Sequence, residues 1–181
     1  MSAFPDQPDL QAKITTATER DINAIIALQE FWRKDVGRLT RSAHGDHIRR
    51  GDTFLITENG QDAGYLLAHC GIDRRTNILQ VAVHDDLLRS TLGTQLMTHV
   101  FRHAVAHDQL SISLRTRVDL PANLFWPTVG YYYTGQCVTR NRKRSLLNTW
   151  VRTLTSPIYV PRARLDRVCR TTKHNADTRV Q

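Results

Sequence analysis

Residues 77–100, NILQVAVHDDLLRSTLGTQLMTHV, constrain the chain more than any other segment. Asn77 to Val83 is an apolar, β-branched run, the pattern of a buried strand. From Thr91 to His107, Leu92, Leu96, Val100 and Ala104 recur at helical spacing and predict an amphipathic helix. The loop between them closes with Arg89-Ser90-Thr91-Leu92-Gly93-Thr94. Such a turn aims backbone N–H groups outward at the positive end of a helix dipole, an anion site suited to a pyrophosphate. Thr91 or Ser90 would cap the helix, and Gly93 would let a ligand approach the backbone closely.

The flanking segments supply a sheet around this unit. Lys13 to Thr18 alternates and reads as a short strand, and Thr18 with Glu19 and Asp21 starts a helix that carries Ile22, Ile25, Ile26 and Phe31 to about Lys34. Val36 to Arg50 is basic and polar and is expected to form one short second helix. Thr53 to Thr57 and Ala63 to Gly71 make a hairpin about Asn59-Gly60. Further on come a strand at Leu110 to Leu114, a short helix over Asp119 to Val129 broken near Pro127, and a hairpin of Tyr131 to Val138 with Leu146 to Leu154. Its connection, Thr139 to Ser145, reads TRNRKRS. Hairpins on both sides of a β-loop-α unit imply an α/β fold with a mixed sheet, not a doubly wound one.

Composition excludes several classes. No apolar stretch is long enough to span a membrane. The first eleven residues lack the basic and apolar regions of a secretory signal, so a soluble, cytoplasmic protein is expected. Cys70, Cys137 and Cys169 show no ligand spacing; Cys70 and Cys137 sit in strand-like runs and read as buried thiols. His99, His103 and His107 recur every four residues, but neither a carboxylate nor a cysteine accompanies them, so they read as a polar helix face and no metal is expected. The formal net charge of +8 favours polyanionic partners. Half of that excess lies from Thr155 onward, where six cations face two anions. One domain is expected over 12–154, with a flexible lead-in at 1–11 and a basic, largely disordered tail at 155–181.

Val83-His84-Asp85-Asp86 and Leu92-Gly93-Thr94 fall in register with the strand, His/Asp-Pro-x-x-Arg-Gly-x-Gly-x-Gly/Ala loop and helix of the GNAT (Gcn5-related N-acetyltransferase) superfamily, which this chain resembles. Asp85 stands where Pro is common, Leu88 at the usual Arg or Gln, and Thr91 at the middle Gly. Ala122 to Tyr131, ANLFWPTVGY, resembles that family's Ala-x-x-Phe-Tyr-x-x-x-Gly-Phe, and Arg142-Lys143-Arg144 its Arg-x-Arg before the last strand. The resemblance covers about residues 12–154.

It implies the GNAT acyl-CoA N-acyltransferase fold, with about six or seven strands, the fourth and fifth splayed apart, and about four helices. It also implies acetyl-CoA as co-substrate, its pantetheine lying in the splay against Val81, Ala82 and Val83, with a backbone N–H there polarising the thioester carbonyl. Arg89, Ser90, Thr91, Leu92, Gly93 and Thr94 would hold the pyrophosphate. The family's Glu base and Tyr acid are replaced by Gln80 and Trp126, neither of which titrates. His69, His84 or Asp73 stand as substitute bases, and Tyr131, Tyr132 or Tyr133 as acids; His69 and Tyr133 are the pair chosen. Trp126 otherwise reads as a core aromatic, and His84 as a solvent-facing loop residue.

Acceptor choice in this fold would fall to Trp32 to Arg50 and to the last hairpin. Trp32, Arg33, Arg140 and Arg142 are the candidate contacts, with His44 and His47 in the same basic rim. The expected activity is N-acetyl transfer to an amine, including one presented on a polyanion. The second reading is a catalytically weak module that binds nucleic acid or a protein through its basic surfaces. A monomer or homodimer is expected.

Overall fold

The computed structural model describes residues 12–88, 91–139 and 144–154. Their elements are β1 (Ala12–Thr16), α1 (Ile22–Phe31), α2 (Arg33–Val36), α3 (Arg41–Arg49), β2 (Thr53–Glu58), β3 (Gln61–Cys70), β4 (Arg75–Val83), α4 (Leu92–Ala106), β5 (Ser111–Arg117), α5 (Phe125–Thr128), β6 (Tyr132–Val138) and β7 (Leu146–Thr153). The strands form one sheet in the order β1-β2-β3-β4-β5-β7-β6. Only β4 and β5 run parallel, so the sheet is mixed.

Helices cover both sheet faces. On one face α4 presents Leu92, Leu96, Met97, Val100 and Ala104 to Phe54, Ile56, Leu66, Ile112 and Leu114. On the other, α1 and α3 present Ile22, Ile25, Leu28 and Ile48 to Leu55, Tyr65, Leu67 and Ala82. This explains why β2 is buried at four successive positions rather than at alternate ones, since a strand covered on both sides needs apolar residues throughout. Each fully buried Leu, Ile or Met contributes roughly 1.5–3 kcal/mol through loss of exposed apolar surface.

Local chemistry sets the boundaries. The Asp21 carboxylate accepts from the Thr18 N–H at 2.7 Å and from the Thr18 hydroxyl at 2.9 Å, closing the turn that leads into α1. The short helix expected within Val36 to Arg50 is α3 at Arg41–Arg49, and Val36 ends the separate turn α2. Gly37, at φ 78°, takes the left-handed conformation that ends α2. The chain restarts at Thr40, whose hydroxyl accepts from Ala43 N at 3.2 Å and caps α3. The expected helix over Asp119 to Val129 is a 3₁₀ segment at Pro121–Leu124 followed by the single turn α5, because Pro121 and Pro127 limit backbone donors there.

The feature that positions the site is a divergence within the sheet. β4 and β5 pair from Arg75↔Ser111 to Ile78↔Leu114. Beyond that point β4 continues to Val83 and β5 to Arg117 without pairing to each other. On the β3 side the register shifts between Leu67 and Ala68, leaving Leu79 as an extra residue in β4. A bulge of this kind bends a strand and increases its twist.

Cys70 and Cys137 are half-buried rather than fully buried. Among the described residues no helix is long and apolar enough to cross a membrane. Residues 1–11, the tail at 155–181 and Cys169 lie outside the described residues.

Candidate active site

Where β4 leaves β5, its edge is turned to the split. His84 N donates to Ala63 O at 2.9 Å. In an antiparallel ladder the donors and acceptors alternate, so Ala82 serves β3 while the N–H and C=O of Val81 and Val83 face the split. The Val83 carbonyl on that edge accepts from the Trp32 indole N–H at 2.9 Å. Trp32, expected at the acceptor, therefore anchors the end of α1 to β4. The Val81 amide and carbonyl and the Val83 amide are the backbone groups left to pair with an extended ligand in the gap.

At the start of α4, Thr91 occupies the N-cap position and its carbonyl accepts from Gln95 N at 2.9 Å. Its hydroxyl accepts from the Gln95 side chain at 3.0 Å. Gly93 and Thr94 lie in the first turn, whose N–H groups point out of the helix end. A Cβ on Gly93 would meet the Phe125 ring at 3.5 Å, an ordinary contact. The bare glycine thus faces Phe125, and an alanine would fit. Arg89 and Ser90 lie outside the described residues.

Gln80 is 4% exposed and fully engaged. Its Nε2 donates to Gln29 Oε1 at 3.0 Å and to the carbonyls of Val36 and Gly37 at 3.4 Å. Its Oε1 accepts from the Tyr65 hydroxyl at 3.0 Å. Gln29 holds the following loop, donating to Leu39 O at 3.1 Å and accepting from Leu39 N at 2.7 Å. The same Gln29 oxygen contacts His44 Nε2 at 3.0 Å, which makes that ring nitrogen the donor. Burial pushes the His44 imidazole below its ordinary value, consistent with a neutral ring. His44, read from sequence as part of a basic rim, is fully buried in this network.

An open groove of about 910 Å³ borders the split. Arg33, Lys34, Asp35, Val36 and Gly37 line one wall; Arg115 and Arg117 on β5, with Thr139, Ser145 and Leu147, line the other. Arg117 is committed, donating to Lys34 O at 2.6 Å and to Asp119 at 3.0 and 3.1 Å. Arg115 is exposed, with no ion pair among the described residues. Four cations against Asp35 give the groove a positive field.

The profile of the Acetyltransferase (GNAT) family matches residues 21–131, more than half of the chain. The chain belongs to the GNAT acetyltransferase family. No curated protein matches it at the sequence level. Its fold is similar to that of Ard1 from Thermoplasma volcanium, with a TM-score of 0.72 at 20% identity over 80% of this chain and 99% of that one. It is also similar to the ribosomal-protein-S18-alanine N-acetyltransferase from Escherichia coli, at TM-score 0.67 and 14% identity over 83% and 100%. A third similar structure is yncA, a putative acetyltransferase from Salmonella typhimurium with its cofactor acetyl-CoA, at TM-score 0.67 and 16% identity over 84% and 99%.

In this GNAT frame the split of β4 from β5 matches the splay expected of strands four and five. Val81, Ala82 and Val83 lie on the part of β4 beyond its last pair with β5, and α4 begins at Leu92. His69 and Tyr133 do not meet there. His69 pairs with Asn77 on the joined half of β4, and its ring faces Asp52 at 3.4 Å. Tyr133 is half-exposed on β6, separated from β5 by β7, with its ring edge on Trp150. Tyr131 is buried, and burial pushes its phenol well above the ordinary range, as it does for Tyr65. Trp126 is 4% exposed in the α4-side core. Arg33 lines the groove, while Arg140 and Arg142 lie outside the described residues.

Sequence reasoning missed Gln29, Tyr65, Arg115 and Arg117. Gln29 carried a signal, being a polar residue on the apolar face of α1. The two arginines were overlooked because the expected strand stopped at Leu114; extended, it puts Arg115 and Arg117 on one face.

Proposed function

We propose that this GNAT protein is an N-acetyltransferase that uses acetyl-CoA and acts on an amine carried by an anionic acceptor, by positioning rather than by a titrating base. The split beyond Ile78 and Leu114, opening into the basic groove, is the observation that carries this reading. The unpaired edge of β4 fits an extended pantetheine, and the helix start at Thr91 to Thr94 fits its phosphates. Bound acetyl-CoA supplies an acetyl group activated as a thioester.

The chain's own groups then act as follows. The Val81 N–H, facing the split, donates to a carbonyl oxygen placed there and stabilises charge that develops on it. Thr91, Leu92, Gly93 and Thr94, with Arg89 and Ser90, hold the pyrophosphate. Arg33 and Arg115 draw an anionic acceptor into the groove, with Arg140 and Arg142 as further contacts on the hairpin loop. Gln80 cannot take the amine's proton: its oxygen accepts from Tyr65 and its nitrogen serves three acceptors. The amine therefore enters neutral; as the C–N bond forms and the thioester C–S bond breaks, CoA would leave as the thiolate and the amine's remaining excess proton would pass to water, while alignment of the two reactants supplies most of the rate.

Acetyl transfer to matched peptides with acidic, neutral and basic residues after a free N-terminus tests this, with aminoacyl-tRNA in the same panel. Anionic acceptors should be preferred by tenfold or more in kcat/KM, and Arg115→Glu should abolish the preference. The rate should rise with pH up to the acceptor's own pKa, about 8 for an α-amine. A plateau below pH 7 would reveal an enzyme base and contradict the mechanism. No transfer to any amine, with salt-sensitive nucleic-acid binding instead, would favour a binding module, the reading that the missing acid–base pair supports.

A further inference from the structure

On the joined half of β4, away from the split, three donors converge from three elements. His47 comes from α3, Asp52 from the turn before β2, and His69 from β3. We propose that His47, Asp52 and His69 form a binding site for a divalent cation of the zinc class. Their ligand atoms all lie within 4.8 Å of one another. Asp52 Oδ2 is 3.4 Å from His69 Nδ1 and 3.7 Å from His47 Nδ1. The longer distance exceeds hydrogen-bond reach. The shorter matches the separation of donor atoms about a tetrahedral zinc ion, roughly 3.3–3.5 Å for ligands held near 2.0–2.1 Å, and the longer lies just outside it.

The surroundings favour a cation over a plain hydrogen-bonded cluster. The Asp52 side chain is 10% exposed, and its ion-pair partners among the described residues are these two imidazoles. A buried carboxylate needs a positive partner. His47 Nδ1 is buried without a hydrogen-bond partner, although it points at that carboxylate. Two imidazoles and one carboxylate suit zinc and neighbouring late transition ions rather than magnesium or calcium, which prefer oxygen. His69, with its side chain 42% exposed, provides an entry path and an open fourth position for water.

Cys70 and His103 approach the same carboxylate, and their ligand atoms with that of Asp52 also lie within 4.8 Å. The α4 histidines are therefore not a plain polar face: His103 has both a carboxylate and a cysteine beside it, and it packs on Phe54 as His99 does. A bound ion would tie α3 to β2 and β3, adding a cross-link between a helix and two central strands.

The test uses full-length protein without a histidine tag, stripped with chelator and titrated with zinc in a calorimeter. One equivalent should bind at micromolar affinity or tighter, and the melting temperature should rise by about 5 °C at saturating zinc. His47→Gln and His69→Gln should each weaken binding at least a hundredfold with an unchanged circular-dichroism spectrum. His99→Gln and His107→Gln should leave it intact. Less than about a fifth of an equivalent in the wild type, or binding that survives both His47→Gln and His69→Gln, would overturn the site. Acetyl transfer is not read in this experiment, so its failure leaves the proposed activity untouched.

Discussion

Thr91→Asp should lower the affinity for acetyl-CoA by tenfold or more while leaving folding stability unchanged or slightly higher. The two effects have opposite signs for one physical reason. Thr91 is exposed at the N-cap position of α4, where its side chain makes no capping hydrogen bond to the backbone that a substitution could lose and the helix dipole favours negative charge. A carboxylate there adds a few tenths of a kcal/mol or nothing to the fold. If the same helix end holds the pyrophosphate, the new charge stands among phosphates. At about 6 Å, with an effective dielectric of about 30, each like-charge pair costs about 2 kcal/mol, more than the tenfold equivalent of 1.4. Titration with acetyl-CoA and thermal unfolding on the same preparation would check both halves. Unchanged affinity would move the phosphate site away from α4, and a large loss of stability would contradict the dipole argument.

Gln80→Glu should destabilise the protein by about 2–4 kcal/mol and give no gain in acetyl transfer, although it puts a carboxylate where relatives of this resemblance carry their base. The Gln80 nitrogen serves Gln29 Oε1 and two carbonyls, all acceptors. A carboxylate oxygen in its place faces three acceptors with no proton to offer, and a buried, unsatisfied charged group costs this much. The melting temperature should fall by about 5–15 °C. The new carboxyl would have a folded-state pKa raised above its unfolded value of about 4.3, because only the protonated form can donate to Gln29. Stability of the variant relative to wild type is then highest below pH 4.3 and is lost as pH rises through the folded pKa. Unfolding followed from pH 4 to pH 8 would show the difference widening. A variant as stable as wild type and faster at pH 7 would mean that this position is open to substrate and that the network does not close it.

The order of strands and helices was legible because it rests on local signals. Asn59-Gly60 fixes one hairpin, and the spacing of Leu92, Leu96, Val100 and Ala104 fixes the face of α4. The split was legible only by resemblance, since nothing in NILQVAV or LSISL says where two parallel strands stop pairing. The short helix within Val36 to Arg50 was legible but its start was not, because the left-handed turn at Gly37 and the cap at Thr40 delay it to Arg41. His44 looked like a rim residue among arginines; its place beside Gln29 depends on how α3 docks, which composition does not encode. Tyr133 and His69 have suitable side chains, but the sequence does not say which strands lie beside theirs. The same limit hid His47, Asp52 and His69, which lie within 22 positions but meet only once α3 folds onto the hairpin.

Calorimetric titration of the wild-type chain with acetyl-CoA, beside CoA alone, tests most directly whether the split and the start of α4 form a cofactor site. Saturable one-to-one binding with Kd on the order of 1–100 μM for both ligands is the expected result, since the backbone edge and phosphate contacts are common to both. No heat and no saturation up to millimolar concentration would contradict the account and leave the basic groove as a surface for another partner.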